Sequence, residues 1–206
     1  MSCEGTTDDQ IGEAVLIGVI KDQVRHITCE GNIPPLRLPD MKPITNENDQ
    51  MLVDQIAETI RVIGDRLDQD PRFNDMMDGL GRVADKSCFW KLVENVFSNG
   101  QINWGRIIVL FYSVGKLSAK MVLARLPAVV SDILSLCLDF FRRKLLDWIC
   151  NMGGWINSIS ELARFAIEQV STSSIRTISP SVALGLVFIS GSTSGDAHQL
   201  EMNRIS

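Results

Sequence analysis

Few residues in this chain have the type and spacing that catalysis needs. The only histidines are His26 and His198, and no pair of side chains shows metal-ligand spacing. No glycine-rich phosphate loop precedes a helix. The five cysteines, Cys3, Cys29, Cys88, Cys137 and Cys150, are odd in number and include no Cys-x-x-Cys pair. That pattern fits reduced intracellular thiols better than a disulfide scaffold. A Cys–His nucleophilic pair stays open, but nothing in the sequence positions one. The expectation is a protein that is not an enzyme and holds no metal or cofactor. The chemistry that does show is recognition. Leu52, Val53, Ile56, Ile60, Ile63 and Leu67 recur at steps of three and four, which places them on one helical face. Gly64 and Asp65 lie within the same run. Such a face is either the core side of a helix or a row of anchors for a groove on another molecule, and periodicity does not separate the two.

The elements that must position this face are helices. No segment sustains an alternation of apolar and polar residues bounded by hairpin turns. The spacing predicts a first helix from Asp9 to about Thr28, too apolar for a single surface stripe and so packed on more than one side. Pro34, Pro35, Pro39 and Pro43 then forbid a continuous helix. The second helix begins near Asn48 or Asp49. Asp70-Pro71 ends it and starts a short third stretch with Phe73, Met76, Met77, Leu80 and Val83. Ser87 is expected to cap a fourth, with Phe89, Leu92, Val93, Val96 and Phe97 on its buried face, and Asn99-Gly100 to stop it.

Asn103 is a good cap for the longest apolar stretch, Trp104 to Leu126, which Pro127 interrupts. A further helix is expected from about Val129 to Cys150, broken by Gly153-Gly154. The last begins near Trp155 and continues through Ile159, Leu162, Ala163, Ala166, Ile167 and Val170. Two adjacent helices of about 22 residues would each measure about 33 Å at the standard rise, near the roughly 30 Å hydrocarbon thickness of a bilayer. Lys116, Lys120, Arg125, Asp132, Asp139, Arg142, Arg143, Lys144 and Asp147 make neither a standard transmembrane helix. The hairpin reads either as a central core helix beside an amphipathic one or as a pair able to enter a membrane in part.

Charge narrows the partners. The formal net charge is −5 and the pI about 5.1, which argues against nucleic acid as a ligand and against constitutive docking on anionic lipid. Met1 to Gln10 lacks a basic region followed by an apolar one, so no secretory signal is read. Thr177 to Gly195 carries no charge, but only Val182 to Ile189 is densely apolar, a poor transmembrane helix. The expected layout is a polar tail over 1–8, a helical domain over 9–170, a Ser/Thr-rich linker over 171–181, and a weakly apolar segment with a polar end over 182–206.

Three segments together resemble a known family. Phe97 to Tyr112, with Asn103-Trp104-Gly105-Arg106 at its centre, resembles the first homology motif of the Bcl-2 family. Trp148 to Trp155, with Gly153 and Gly154 before the second tryptophan, resembles the second motif. Ile56, Ile60, Ile63-Gly64-Asp65 and Leu67 match the third, the BH-three motif, with Ile60 where the family usually has leucine. Tyr112-Ser113-Val114-Gly115-Lys116-Leu117, Leu138 to Ile149, and Gln10-Ile11 with Ile20-Lys21-Asp22 are similar to the Bax-like effector branch.

The resemblance covers about Asp9 to Val170. It implies an all-α, Bcl-2-like bundle around a central hydrophobic helix and a regulator of apoptosis. Such a protein binds BH-three helices in a hydrophobic groove, self-associates into dimers and oligomers on activation, and moves from the cytoplasm to permeabilise the mitochondrial outer membrane. Its partners are then BH-three-containing and other Bcl-2 family proteins, a second copy of itself, and mitochondrial membrane lipid. The alternative is a survival-type member that sequesters BH-three helices without forming pores. By the same resemblance Asp65 pairs with the motif-one arginine of a partner, and Arg106 receives a partner's aspartate. Asn103, Gly105 and Arg106 line the groove. Without the resemblance, Asp65 and Arg106 are no more than a solvated pair worth about 0–1 kcal/mol. Trp148, Gly153, Gly154 and Trp155 are expected to be structural.

Overall fold

The computed structural model describes residues 3–28, 36, 38–39 and 43–162. Its elements in chain order are α1 (Thr7–Thr28), α2 (Glu47–Leu67), α3 (Pro71–Gly81), α4 (Ser87–Val96), α5 (Trp104–Leu123), α6 (Pro127–Phe140), a π-helical turn (Phe141–Leu145) and α7 (Leu146–Asn151). Residues 155–162 form one more helix, α8. The described residues are all helix and connecting turns, as expected. Ala163, Ala166, Ile167 and Val170, the linker and Val182 to Ile189 lie outside them.

The helix starts obey local chemistry. The Asn46 side chain accepts from the Asn48 N–H at 3.0 Å and opens α2. Asp70 accepts from Arg72 N–H at 2.9 Å, with Pro71 in the first turn of α3. Asn103 accepts from Arg106 N–H at 2.9 Å and opens α5, as its residue type predicts. The fourth start differs from expectation. Ser87 lies inside α4, and the acceptor for its N–H is the Asp85 carboxylate at 2.6 Å. A carboxylate is the stronger acceptor, and its charge also suits the positive end of a helix. The bonds from Ser87 hold the Asp85 carboxyl below its usual range.

Helix α5 is the axis of the domain. It is buried from Trp104 through Gly115 without interruption, and again at Leu117, Ser118, Ala119, Met121 and Val122. α1 lies along it over the widest contact and also meets α2 and α7, which explains why its sequence is apolar on several sides. α2, α3, α4 and α6 cover the remaining surface of α5. Its end comes at Leu123, earlier than expected. Arg125 adopts a left-handed φ of 61°, and Pro127 starts α6 two residues ahead of Val129. Proline suits a first helical position because no N–H is needed there.

The expected uniform helix from Val129 to Cys150 is instead α6, the π turn and α7 in one continuous path. A π turn holds an extra residue and rotates the side chains beyond it. Here Phe140 points to Phe89 and Phe97, while Phe141 points to Phe111 and Trp155. Leu145 and Leu146 are likewise both buried. No helix among the described residues is long and apolar enough to cross a membrane. Of the two readings of the hairpin, the folded chain adopts a core helix beside an amphipathic one.

Candidate partner-binding site

The apolar row on α2 faces inward. Ile56, Ile60 and Ile63 are 0%, 1% and 5% exposed, and Leu67 packs half-buried against the same core. At Gly64, α2 packs directly on the Tyr112 ring of α5. A Cβ there would sit 2.1 Å from Cε2 of Tyr112, so only glycine permits this approach. Asp65, the next residue, is exposed. The α2 face therefore has apolar anchors on the inside and a carboxylate at the solvent edge.

Polar bonds hold the end of α2 and the start of α3 to α5. The Lys116 ammonium meets Asp68 in an ion pair and donates to Asn74 Oδ1 at 3.1 Å. It also lies 5.6 Å from the centre of the Phe73 ring. One turn further on, Lys120 meets Asp78, and that lysine holds the Asp78 carboxyl below its usual range. Burial first, then the neighbouring Asp68 carboxylate, raises the Tyr112 hydroxyl far above an ordinary phenol. Phe73 stacks on the Tyr112 ring at 6.2 Å.

Arg106 stands in the first turn of α5 and is 2% exposed. Its Nη1 donates to the Asn99 side chain and to the Gln101 carbonyl, the latter at 2.9 Å. Burial lowers its pKa, but a guanidinium remains a cation at any ordinary pH. Asp65 and Arg106 are not brought together within the chain. Gly64 meets Tyr112, six residues along α5 from Arg106, or about 9 Å at the helical rise. Gly105 and Trp104 are buried beside Arg106, and Asn103 is half-buried as the cap. The surface pair that Asp65 and Arg106 could have formed is absent, because the arginine points into the fold.

The second motif closes one end of the domain. Trp155 is fully buried, with its ring centre 5.5 Å from Trp104, 6.2 Å from Phe111 and 6.4 Å from Phe141. Trp148 meets Trp104 edge to face at 5.1 Å. Gly153 and Gly154 have φ of 88° and 79°, a left-handed turn that lets α7 end and α8 begin. A Cβ on Gly154 would lie 2.8 Å from the Asp8 carboxylate. That carboxylate accepts the Trp155 N–H at 3.0 Å, and the Asp8 carbonyl accepts the indole N–H at 2.9 Å. Arg142 of the π turn adds bonds to Asp9 and Glu13 of α1, each at 2.8 Å. All four motif-two residues thus have structural work.

Several residues of the site do not stand out in the sequence. Asn99 reads as a helix stop, yet its side chain also anchors Arg106. An asparagine before glycine, with a cap residue shortly after, is a possible signal. Asp8 reads as part of a polar tail, but α1 begins at Thr7 and Asp8 binds Trp155. Tyr112, Asp68, Lys116, Asp78 and Lys120 are joined by tertiary contacts alone, and no local pattern announces them.

Comparison with known proteins agrees with this geometry. Residues 60–155 match the family model described as apoptosis regulator proteins, Bcl-2 family. The apoptosis regulator BAX of Homo sapiens is 30% identical over 158 residues, covering 75% of this chain and 78% of that protein. The crystal structure of chicken BOK superposes with a TM-score of 0.56 at 17% identity, covering 74% of this chain and 94% of BOK. Trichoplax adhaerens trBcl-2L2, solved bound to trBak BH3, superposes with a TM-score of 0.55 at 16% identity, covering 75% and 98%. The two structures share the fold, and the similarity to BAX carries the relationship. The chain belongs to the Bcl-2 family of apoptosis regulators.

Proposed function

We propose that this protein is a Bax-like effector of apoptosis. In the resting monomer, α2 is stored with its anchors against α5. A BH-three helix from a partner enters the groove, α2 leaves, and its exposed face docks in the groove of a second copy. Oligomers built in this way permeabilise the mitochondrial outer membrane, to which the protein moves from the cytoplasm. Lipid is thus a late partner, nucleic acid is not one, and no catalytic group, metal or cofactor is used. The working unit runs from α1, which opens at Thr7 with Asp8 bonded to Trp155, to about residue 170, with 171–181 and 182–206 as flanking segments.

One observation carries this reading: α2 has three buried isoleucines on one side, Asp65 at its solvent edge, and a glycine where it packs on Tyr112. The inward face can be exchanged for a groove of similar apolarity. Asp65 can then form a bidentate pair with the arginine of another chain, which orients the helix. For Arg106 to receive such an aspartate it must be uncovered, so arginine exposure and α2 release belong to one transition between two packings. The similarity to BAX, which extends over 158 residues, supports the effector reading.

The second reading, a survival-type protein that holds BH-three helices without forming pores, draws on the likeness to trBcl-2L2, a structure bound to a BH-three segment. The two readings separate on liposomes containing mitochondrial lipids. With an activating BH-three peptide, an effector releases entrapped dye; a survival-type protein binds the peptide and releases none. Expression in cells lacking both Bax and Bak gives the cellular counterpart: cytochrome c release for the effector, none for the alternative. No leakage under any activating condition overturns the proposal.

A further inference from the structure

The corner between α2 and α3 is held to α5 by one ammonium. Asp68 is the C-cap of α2, and Asp70 opens α3. The residues between the two helices are stapled back to α2. The N–H of Asp68 donates to the Gly64 carbonyl at 2.9 Å, that of Gln69 to Arg66 at 3.1 Å, and that of Asp70 to Leu67 at 3.0 Å. The corner therefore holds its own shape, and Lys116 reaches both of its arms. Its Nζ pairs with the Asp68 carboxylate and donates to Asn74 Oδ1 at 3.1 Å, beside the Phe73 ring. Asn74 Nδ2 in turn donates to the Asp68 carbonyl at 2.7 Å, so lysine, aspartate and asparagine close a ring of bonds. A cation at this place also faces the negative end of α2. The Lys116 side chain is 17% exposed. Lys120 differs: its pair is with Asp78 on α3, it is more exposed, and its stem runs past Gly81, where a Cβ would lie 3.2 Å from Lys120 Cδ.

We infer that Lys116 is a positioning residue, the catch that keeps α2 on α5, and that breaking its bonds to Asp68 and Asn74 is the step that frees the corner. The inference rests on the proposed exchange of α2 and names what sets its threshold. The apolar face of α2 does not distinguish between two grooves of like apolarity, so it does not by itself keep the helix in its own chain. The lysine ring does. It needs a carboxylate from α2 and an amide from α3 at fixed spacing, and bonds joined in this way reinforce one another. A lone incoming helix offers a carboxylate at most, because the Asn74 arm belongs to α3. The catch is weak but well placed: a partly exposed ionic link shifts an equilibrium by about fivefold at most, and this one acts where α2 ends.

Hydrogen exchange on the full chain, with neither peptide nor membrane present, reads the catch directly. Lys116→Met keeps a long side chain and removes the charge. The end of α2 and the start of α3 should then exchange about fivefold faster, with α1 and α8 unchanged. Asp68→Asn breaks the same pair from an exposed position, so it tests the catch even if Lys116→Met fails to fold. The double variant should be no faster than either single one. Lys116→Arg keeps the charge and is able to lie on the Phe73 ring, so it should behave like the parent. Lys120→Met should quicken α3 and leave α2 alone. On liposomes containing mitochondrial lipids, Lys116→Met should reach half-maximal dye release at about a fifth of the BH-three peptide concentration that the parent needs. Unchanged exchange in α2, additive effects in the double variant, equal acceleration in α1 and α8, the same effect on α2 from Lys120→Met, or release at the parent's peptide concentration would each overturn the inference. If neither the parent nor any variant releases dye, the effector reading fails, and the exchange rates still decide the catch.

Discussion

The α2–α5 contact and the junction of α1 with α7 and α8 hold the domain by different physics. At α2, the inner contact is apolar, and the ion pair at its margin runs from Lys116 to Asp68, with Lys120 to Asp78 holding the adjoining α3. Pairs at a solvent edge contribute about 0–1 kcal/mol each, and an apolar face loses little when it moves to another apolar groove. At the α1 end, Trp155 is enclosed by three other aromatic rings and tied to Asp8 by two directed hydrogen bonds, and Arg142 reaches two carboxylates on α1. An apolar groove on another molecule offers no replacement for directed bonds to a buried indole. The first contact is therefore suited to exchange and the second to permanence.

The strongest way to break this contrast is Gly64→Glu. The new Cβ falls on the Tyr112 ring and brings a carboxylate toward an apolar contact. Overpacking and a buried charge together should cost about 3 kcal/mol or more, read as a lower urea midpoint. A variant as stable as the parent would mean that α2 already sits loosely on α5. This substitution disturbs the monomer as well as any dimer, so it is a test of storage and not of partner choice.

Asp8→Ala addresses the other region. It removes the acceptor for the Trp155 N–H but keeps the Asp8 carbonyl on the indole, and should cost about 1–2 kcal/mol. Hydrogen exchange should accelerate at the start of α1 and in α8 while α2 is unchanged. Equal acceleration in α2 would show that the two regions open as one unit, contrary to the comparison.

The smallest effect on stability is expected from Asp65→Ala, within about 0.5 kcal/mol for an exposed site. Its effect should appear in binding to a Bcl-2 family partner and in self-association, both weakened while thermal unfolding stays the same. Wild-type binding and assembly would sink the idea that Asp65 orients α2 in a groove. Arg106→Ala is the less clean counterpart. Its loss leaves the Asn99 side chain and the Gln101 carbonyl without their donor in a partly buried place, so folding and binding would change together.

Much of the helical framework is legible in the sequence, and the reason is local. The caps at Asn103 and at Asp70-Pro71 act within a few residues, and the three- and four-residue steps of Ile56, Ile60 and Ile63 are a property of one helix. The expected Ser87 cap fails because two good acceptors stand two residues apart, and the stronger carboxylate of Asp85 takes the bond. The π turn escapes detection because periodicity averages over several turns, and a single inserted residue at Phe141 changes the rotation without breaking the helix.

By itself, then, the sequence determined an all-helical chain with one helix buried on all sides, an apolar row ending in Gly64-Asp65, and three motifs that place it in its family. Only the tertiary structure decided that Gly64 meets Tyr112, that Arg106 points inward to Asn99 and Gln101, that Lys116 ties α5 to Asp68, and that Asp8 belongs to Trp155 and not to a free tail. Helical periodicity is set by neighbours three or four residues away. These contacts join residues on different helices and turns, and they depend on how close two packed segments come, which no spacing within one helix records.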